Sequence, residues 1–181
     1  MGYNTLKNRG KMRYLLLSAL TCNLLLAFPV ELDTIESDFT QTIVDDHNKS
    51  IIYEGKVWAK KPSNIHWRYL KPIEKDIYVK YTRVTMIEPD LEQVIMKSIG
   101  DDIDLIRIIS HSKKVSDNHY IAKYNDRDYH IYLDKDVLKS LEYIDNFGNA
   151  TVIEFKDMRQ NEKFDDSNLE AVIPEDYDVI K

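Results

Sequence analysis

The chain has 181 residues, of which 43% are hydrophobic, and a formal net charge of −6. This length fits one domain, and the apolar fraction is enough for a folded core, which excludes global disorder. The acidic balance argues against nucleic acid as a partner, because phosphates require a basic face. It argues equally against electrostatic attachment to an anionic lipid surface.

The chain begins with a basic segment followed by an apolar one. The only charges before Glu31 are four basic residues at positions 7–13, and the apolar run spans residues 14–28. This order predicts a secretory signal peptide over residues 1–27, with Met12 as an alternative start. An uncleaved anchor or an N-terminal helix is the competing interpretation, although the run is short for a membrane span. Without the signal peptide the chain keeps 21 basic and 31 acidic residues, so its formal net charge becomes −10.

The single cysteine, Cys22, lies inside this predicted signal peptide. The remaining domain, residues 28–181, therefore has no disulfide bond, and its fold rests on packing alone. Residues 19–21 are Ala-Leu-Thr, a poor match to the small residues that precede a lipidated cysteine. The chain is therefore not expected to carry a lipid of its own.

In chain order, the domain opens with apolar residues at helical spacing. Leu32, Ile35 and Phe39 predict a short helix, capped by Asp33 or Thr34, that leads into a first strand. Eight more strands are predicted between polar turn segments, at residues 51–60, 65–70, 77–81, 84–87, 120–124, 129–133, 138–144 and 151–156.

Three other segments complete the prediction. Residues 101–110 predict a helix, because Asp101 or Asp102 can cap it and an apolar stripe follows. Residues 91–97 fit a strand or a helix, and residues 169–179 predict a closing edge segment. Eight to eleven short antiparallel strands with one or two small helices indicate an α+β fold dominated by one strongly curved sheet.

The stretch over residues 53–72 concentrates aromatic residues in two predicted strands. In the second strand Ile65, Trp67 and Tyr69 alternate, so they share one face of the sheet. A face with such wide rings must be covered by another layer of protein or by a ligand. An ordinary core is the commoner outcome, but an antiparallel sheet closed by a small helix is also the form of apolar-ligand carriers.

The sequence contains no catalytic or metal-binding pattern. It has no glycine-rich phosphate loop, and its five histidines stand at no metal-ligand spacing from each other or from carboxylates. His111, between two serines, suggests a hydrolytic arrangement, but no nucleophile elbow accompanies it. We therefore expect no enzyme activity, no metal and no cofactor, and a periplasmic hydrolase is the class with least support.

Five segments, in order along the chain, resemble the LolA family of periplasmic outer-membrane lipoprotein carriers. They are similar to the family patterns F-x-Q, G-x-L-x-x-(K/R)-R-P, F-x-W-x-x-x-x-P, (N/D)-P-x-x-x-Q and P-x-G-V-x-V, at residues 37–42, 53–62, 65–72, 88–94 and 173–180. The resemblance spans essentially the whole domain. It implies an α+β fold, an incomplete, half-open antiparallel β-barrel with a small α-helical lid and an apolar concave face.

The same resemblance implies a function and partners. A LolA-like protein takes acylated lipoproteins from an inner-membrane ABC-type release complex. It carries them, as a monomer, through the periplasm to an outer-membrane acceptor, either a LolB-like receptor or an unknown one. The alternative is a periplasmic sensor or assembly module that binds lipid or protein in the same half-barrel without transport. A second domain or a membrane anchor would favour that alternative, and we expect neither.

The resemblance also assigns roles to individual residues. The expected acyl-binding cavity consists of Trp58, Ile65, Trp67, Tyr69, Val79, Met86, Leu91 and Val94. The expected lid consists of Leu105, Ile106 and Ile109. Lys61 takes the place of a family arginine, and because lysine lacks the planar five-donor fork, its latch on the lid is expected to be weaker. The turn over residues 80–83 departs from the Asp-Gly turn of the family, which leaves its geometry open.

Overall fold

The computed structural model describes residues 31–98 and 105–181. The predicted signal peptide, the alternative start at Met12 and the predicted helix caps Asp101 and Asp102 lie outside the described residues and stay predictions. Neither described stretch contains a helix with the length and hydropathy that a membrane crossing requires.

Twelve strands and one short α-helix make up the regular structure of the described residues. The strands are β1 Thr34–Val44, β2 Ser50–Lys60, β3 Asn64–Lys71, β4 Lys75–Lys80, β5 Arg83–Glu88, β6 Gln93–Ser98, β7 Lys113–Ser116, β8 His119–Tyr124, β9 Arg127–Asp134, β10 Val137–Ile144, β11 Ala150–Gln160 and β12 Asp178–Ile180. The helix, α1, spans Leu105–Ser110, and 3-10 turns occupy Pro89–Leu91 and Asp166–Leu169.

All twelve strands belong to one sheet, in the order β12-β6-β5-β4-β3-β2-β1-β11-β10-β9-β8-β7. The two ends of this order do not pair with each other, so the sheet is open, as predicted. Neighbours are antiparallel except β12, which runs parallel to β6. The fully exposed β7 was not predicted, because it lacks the alternation of a half-buried strand. The ambiguous segment 91–97 is mostly strand, since β6 begins at Gln93.

The predicted helix before the first strand is wrong. Ile35, Ser37, Phe39 and Gln41 are buried and alternate with partly exposed neighbours along β1, which is the period of a strand. β1 is hydrogen-bonded to β2 on one edge and to β11 on the other. Two complete ladders outweigh the weak helical spacing of three apolar residues, because tertiary pairing overrides local propensity.

β1 joins two half-sheets that are built separately along the chain. On one side, β2 to β6 follow β1 as consecutive antiparallel neighbours. On the other side, β11 pairs with β1 along almost its whole length, from Ile35 opposite Gln160 to Val44 opposite Ala150. We call this pairing the β1–β11 seam. Residues from both half-sheets line one cavity, so the sheet curves around it.

The face that receives α1, which we call the inner face, carries the main core. Ile65, Trp67 and Tyr69 of β3 share this face, as predicted, and all three border the cavity. Beneath them the core is formed by buried aliphatic and aromatic residues of both half-sheets and α1, among them Ile35, Phe39, Val57, Ala59, Ile106, Ile109, Ile131, Leu138, Leu141 and Phe155.

The opposite, outer face is covered in part by the C-terminal segment after β11. Trp58, His66 and Tyr78 stack there, with ring centroids 5.2 Å and 4.0 Å apart in that order, and we call them the outer-face cluster. His66 Nε2 lies 2.6 Å from Asp76 Oδ1, and its Nδ1 lies 2.7 Å from the backbone oxygen of Asn168. The histidine therefore fixes the C-terminal segment to the middle of the first half-sheet.

Candidate functional site

A cavity of about 330 Å³ lies between the inner face and α1. Most of its wall is apolar and comes from three parts of the chain: Ile65, Trp67, Ile77, Val79 and Val84 from β3 to β5, Leu105 and Ile108 from α1, and Leu141 and Ile153 from β10 and β11. Ligand pockets typically measure about 300–1,000 Å³, so this volume is at the lower end of the range. The cavity therefore fits one slender apolar molecule without rearrangement.

Gly55 allows the aromatic part of this wall to pack closely. It stands opposite Phe39 in the β1–β2 ladder. A Cβ atom at this position would lie 2.9 Å from the Phe39 ring and 2.1 Å from the backbone oxygen of Arg68. Because glycine leaves that space free, the Phe39 ring makes edge contacts with Trp67 and Tyr69, at 5.0 Å and 5.2 Å between centroids. These contacts hold the two rings on the cavity side of β3.

The rest of the wall is polar, and we call it the polar end of the cavity: Gln41, Tyr69, Arg127, Tyr129 and Tyr143. The Tyr69 hydroxyl donates a hydrogen bond to Gln41 Oε1 at 2.9 Å. Burial raises the pKa of Tyr69, and the neighbouring Tyr143 and Tyr53 raise it further. Burial also raises the pKa of Tyr143. Both phenols are therefore neutral hydrogen-bond donors at neutral pH.

Arg127 is held at the polar end by neutral partners. Its guanidinium donates hydrogen bonds to the Tyr129 hydroxyl, at 3.1 Å, and to Asn146 Oδ1. Its central carbon lies 5.5 Å from the centroid of the Tyr143 ring and 5.8 Å from that of Tyr129. These are cation–π distances, so two tyrosine faces stabilise the charge.

Lys75 occupies the corresponding position on the other half-sheet. It pairs with Tyr69 across the β3–β4 ladder and therefore lies on the inner face. Its ammonium lies 4.7 Å from the centroid of the Tyr69 ring and 5.2 Å from that of Tyr53. The polar end thus contains one cation, Arg127, and a second cation, Lys75, lies next to it outside the cavity wall; each lies over a pair of tyrosine rings.

The structure brings several predicted residues to the cavity and places others nearby. Five of them form part of its wall: Ile65, Trp67, Tyr69, Val79 and Leu105. Met86 pairs with Ile77 in the β4–β5 ladder and so shares the inner face, but it lies beyond the wall. Ile106 and Ile109 are 1% and 0% exposed and belong to the core under the cavity.

Three residues predicted to line the cavity lie elsewhere, and that assignment is wrong. Trp58 pairs with His66 in the β2–β3 ladder, so it points to the outer face. Val94 is fully buried on the outer face of β6. Leu91 lies in a 3-10 turn and is 63% exposed. The pairing register decides which face a strand residue occupies, and a shift of one residue reverses it.

Lys61 does not reach α1 in this structure. Its ammonium lies 3.1 Å from Asp33 and 3.7 Å from Glu31, and its backbone N–H donates to the Asp33 backbone oxygen at 2.9 Å. Lys61 therefore ties the β2–β3 turn to the residues at the start of β1. The predicted latch is replaced by an ion pair at the edge of the fold.

The sequence interpretation missed the part of the wall that β9 to β11 contribute. Tyr129, Leu141, Tyr143 and Ile153 belong to strands that were predicted, but no role was assigned to them. Ile108 was missed as well, because the apolar stripe of the predicted helix was limited to one side. The alternation of Leu141 and Tyr143 was a usable signal. Only the β1–β11 seam shows which cavity these residues face.

Among the described residues, one group of side chains is close enough to hold a metal ion: Asp45, Asp46 and His47. The group lies in the β1–β2 turn. Asp45 Oδ1 accepts hydrogen bonds from the backbone N–H groups of His47 and Lys49, at 2.9 and 2.8 Å. These are the bonds by which aspartate stabilises a turn, so the arrangement is explained by the hairpin.

Known proteins resemble this chain along most of its length. The family described as "Outer membrane lipoprotein carrier protein LolA" matches residues 31–124. An outer-membrane lipoprotein carrier protein of Helicobacter hepaticus is 31% identical over 170 residues, which cover 93% of this chain and 95% of that protein. Its counterpart in Wolinella succinogenes is 35% identical over 151 residues, or 83% and 88% of the two chains.

A solved structure supports the fold. An uncharacterized conserved protein from Thermus thermophilus aligns with 82% of this chain and 90% of its own, with a TM-score of 0.51 and 10% sequence identity. At this identity the likeness concerns the fold alone.

Proposed function

The chain belongs to the LolA family of outer-membrane lipoprotein carrier proteins, and from this premise we propose that it carries acylated lipoproteins across the periplasm. The observation that supports this proposal is the apolar cavity between the two half-sheets and α1. It is the described site where an acyl chain can leave water and be surrounded by aliphatic and aromatic side chains. The predicted signal peptide agrees with export to the periplasm.

The physical chemistry of the cargo explains why a carrier is needed. Each methylene transferred from water to an apolar site contributes about 0.8 kcal/mol, so a chain of roughly sixteen carbons is held by on the order of 10 kcal/mol. Free diffusion between membranes is therefore negligible. A carrier must supply part of this free energy and still release the chain. A cavity with a polar end and several partly exposed wall residues suits such intermediate binding.

The cavity volume supports a movement of α1 during loading. About 330 Å³ accommodates one chain, whereas the cargo that the LolA resemblance implies is triacylated and carries three. Leu105 and Ile108 close one side of the cavity, and Ile106 and Ile109 anchor the same helix in the core. We propose that displacement of α1 from the inner face enlarges the site, with Leu105 and Ile108 as the lid surface that contacts lipid.

The proposed partners follow from the same role. Cargo would arrive from an inner-membrane ABC-type release complex and leave to an outer-membrane acceptor. Ile65, Trp67, Tyr69 and Val79 are the proposed acyl-contacting residues of the first half-sheet. Lys61 is proposed to act indirectly, by holding the β2–β3 turn against the start of β1.

The test is a release assay. Membranes that contain a radiolabelled lipoprotein are incubated with the purified protein, the release complex and ATP, and the soluble fraction is analysed for a complex of the two. We expect labelled lipoprotein to become soluble with this protein, and only when ATP is present. Retention of all label in the membrane at saturating protein would refute the carrier function.

A further inference from the structure

The two cations beside the cavity, Lys75 and Arg127, are held by aromatic rings and neutral polar groups, whereas several other described lysine and arginine residues are held by carboxylates. Lys56, Lys60, Lys61, Lys71, Lys80 and Arg159 each have a carboxylate within 4 Å. Across the described residues, no carboxylate lies within that distance of the Lys75 ammonium or the Arg127 guanidinium. Their neighbours are tyrosine faces, a phenol oxygen and an amide oxygen.

The nearest acid to Arg127 along the β10–β11 turn is already engaged. Asp145 accepts hydrogen bonds from the backbone N–H groups of Phe147 and Asn149 and from the Asn149 side chain. Burial alone would raise the pKa of Asp145, but these hydrogen bonds, helped by the Arg127 charge, hold it below its ordinary value. The carboxylate therefore shapes its own turn and leaves Arg127 without a direct counter-charge.

The position of these charges relates them to the cavity. Arg127 is itself part of the cavity wall, and Lys75 lies over the ring of Tyr69, which is also part of it. Tyr69 and Tyr143 are close enough for Tyr143 to raise the pKa of Tyr69. Four side chains therefore lie in spatial order across one end of the apolar cavity: Lys75, Tyr69, Tyr143 and Arg127.

We propose that this end of the cavity binds the anionic head group of an acyl-chain amphiphile, with Lys75 and Arg127 as its cationic contacts. The apolar wall takes the chain, and the two cations, together with the phenol donors, take a carboxylate or a phosphate. A cation over an aromatic ring keeps its charge and most of its donors, so it is available to an anion at little desolvation cost. This inference rests on the proposed function only in using the same apolar cavity.

Two classes of molecule combine an acyl chain with an anionic head group, namely fatty acids and anionic phospholipids. Binding assays distinguish them. The full chain is titrated calorimetrically, below the critical micelle concentrations, with palmitate, with palmitoyl-lysophosphatidylglycerol and with uncharged monopalmitin. We expect the anionic ligands to bind at least about tenfold more tightly than monopalmitin. Preference for palmitate would identify a fatty acid as the ligand, and preference for the lysolipid would identify an anionic phospholipid.

Charge-neutral variants show which residues carry the preference. In Lys75→Gln and in the double variant Lys75→Gln with Arg127→Gln, the ratio of the affinity for the anionic ligands to the affinity for monopalmitin should fall stepwise to about one. Lys71→Gln is the matched control, because Lys71 lies at the same β3–β4 turn but pairs with Glu54 at 3.0 Å, and its preference should equal that of the wild type. Lys75→Gln alone keeps the test valid if the Arg127 variant fails to fold.

The outcomes separate this inference from the carrier function. Equal binding of anionic and uncharged ligands, or a preference that survives the double variant, overturns the inference and leaves the carrier proposal intact. Failure of all three ligands to bind overturns the inference together with the assignment of the cavity to acyl chains. Cargo release in the radiolabel assay remains an independent measure of transport.

Discussion

Strand β3 contributes to two aromatic clusters, one on each face of the sheet. The two clusters differ in how far they are covered and in how their polar groups are paired. On the outer face, His66 lies between two rings, has both nitrogens within hydrogen-bond distance of oxygen atoms and is covered by the C-terminal segment. On the inner face, Trp67 and Tyr69 border a cavity whose cations have no carboxylate within 4 Å among the described residues. An aromatic face alone therefore does not indicate a ligand site. On our proposal, incomplete coverage beside charges that have no carboxylate partner is what distinguishes the ligand site from the covered face.

The largest expected effects separate core from cavity within α1. Ile109 is fully buried, so Ile109→Asp places a carboxylate in the core and is expected to prevent folding. Leu105 is also buried, at 6% exposed, but it borders the cavity, so Leu105→Asp should still fold, with a loss of about 3–4 kcal/mol in the free energy of unfolding, but capture no lipoprotein. Val115→Asp, at an exposed position, is the control. Circular dichroism and the release assay measure the two properties, and unfolding of the Leu105 variant would show that the cavity gives the carboxylate no access to water.

The two tryptophans give the most direct contrast between the faces. Trp58→Ala removes a buried ring of the outer-face cluster and should lower the free energy of unfolding by about 3–4 kcal/mol with unchanged acyl binding. Trp67→Ala removes a half-buried wall residue and should lower it by less, about 1–2 kcal/mol, while weakening palmitate binding at least tenfold. Urea titration and calorimetry test both variants. If the Trp58 variant lost acyl binding while still folded, the two faces would not be functionally separate.

A variant of His66 tests whether its hydrogen bonds hold the C-terminal segment on the outer face. His66→Ala removes the hydrogen-bond partner of the Asn168 carbonyl and the nearer of two partners of Asp76, which keeps only Arg68 at 3.9 Å, and we expect a loss of about 2–3 kcal/mol. The exposed His47→Ala should change stability by less than about 0.5 kcal/mol. Limited proteolysis should cut the C-terminal segment faster in the His66 variant. Equal cleavage rates would mean that other contacts hold the segment.

The smallest expected effect concerns pH. Burial raises the pKa of Tyr69 above its ordinary value of 10.0, so above pH 10 the unfolded chain loses this proton before the folded protein does. The contribution of Tyr69 to the free energy of unfolding is therefore fully present below pH 10 and is lost as the pH rises above it. Tyr69→Phe should reduce the decline in the urea midpoint between about pH 9 and pH 11. An unchanged decline would indicate that Tyr69 is accessible to water.

Local signals in the sequence predicted most of the strands and one face of β3. Turn residues marked the hairpins, and alternation put Ile65, Trp67 and Tyr69 together. The same reasoning failed for Trp58, since its face depends on the turn that brings Lys60 opposite Asn64. The polar end could not be predicted, because Arg127 and Tyr69 line the same cavity only after the seam has joined two half-sheets. Pairing between distant strands leaves no local trace in the sequence.

The β1–β11 seam also affects the order in which the strands pair during folding. Strands β1 to β6 pair with their neighbours along the chain, whereas the other edge of β1 pairs with β11, more than a hundred residues away. Such long-range pairing is slow to form. The cavity wall draws on both sides of the seam, so a newly made molecule has nowhere to hold a lipid until almost its entire length is available. Pairing of β11 with β1, rather than the arrival of cargo, therefore determines when this protein first has a site for lipid.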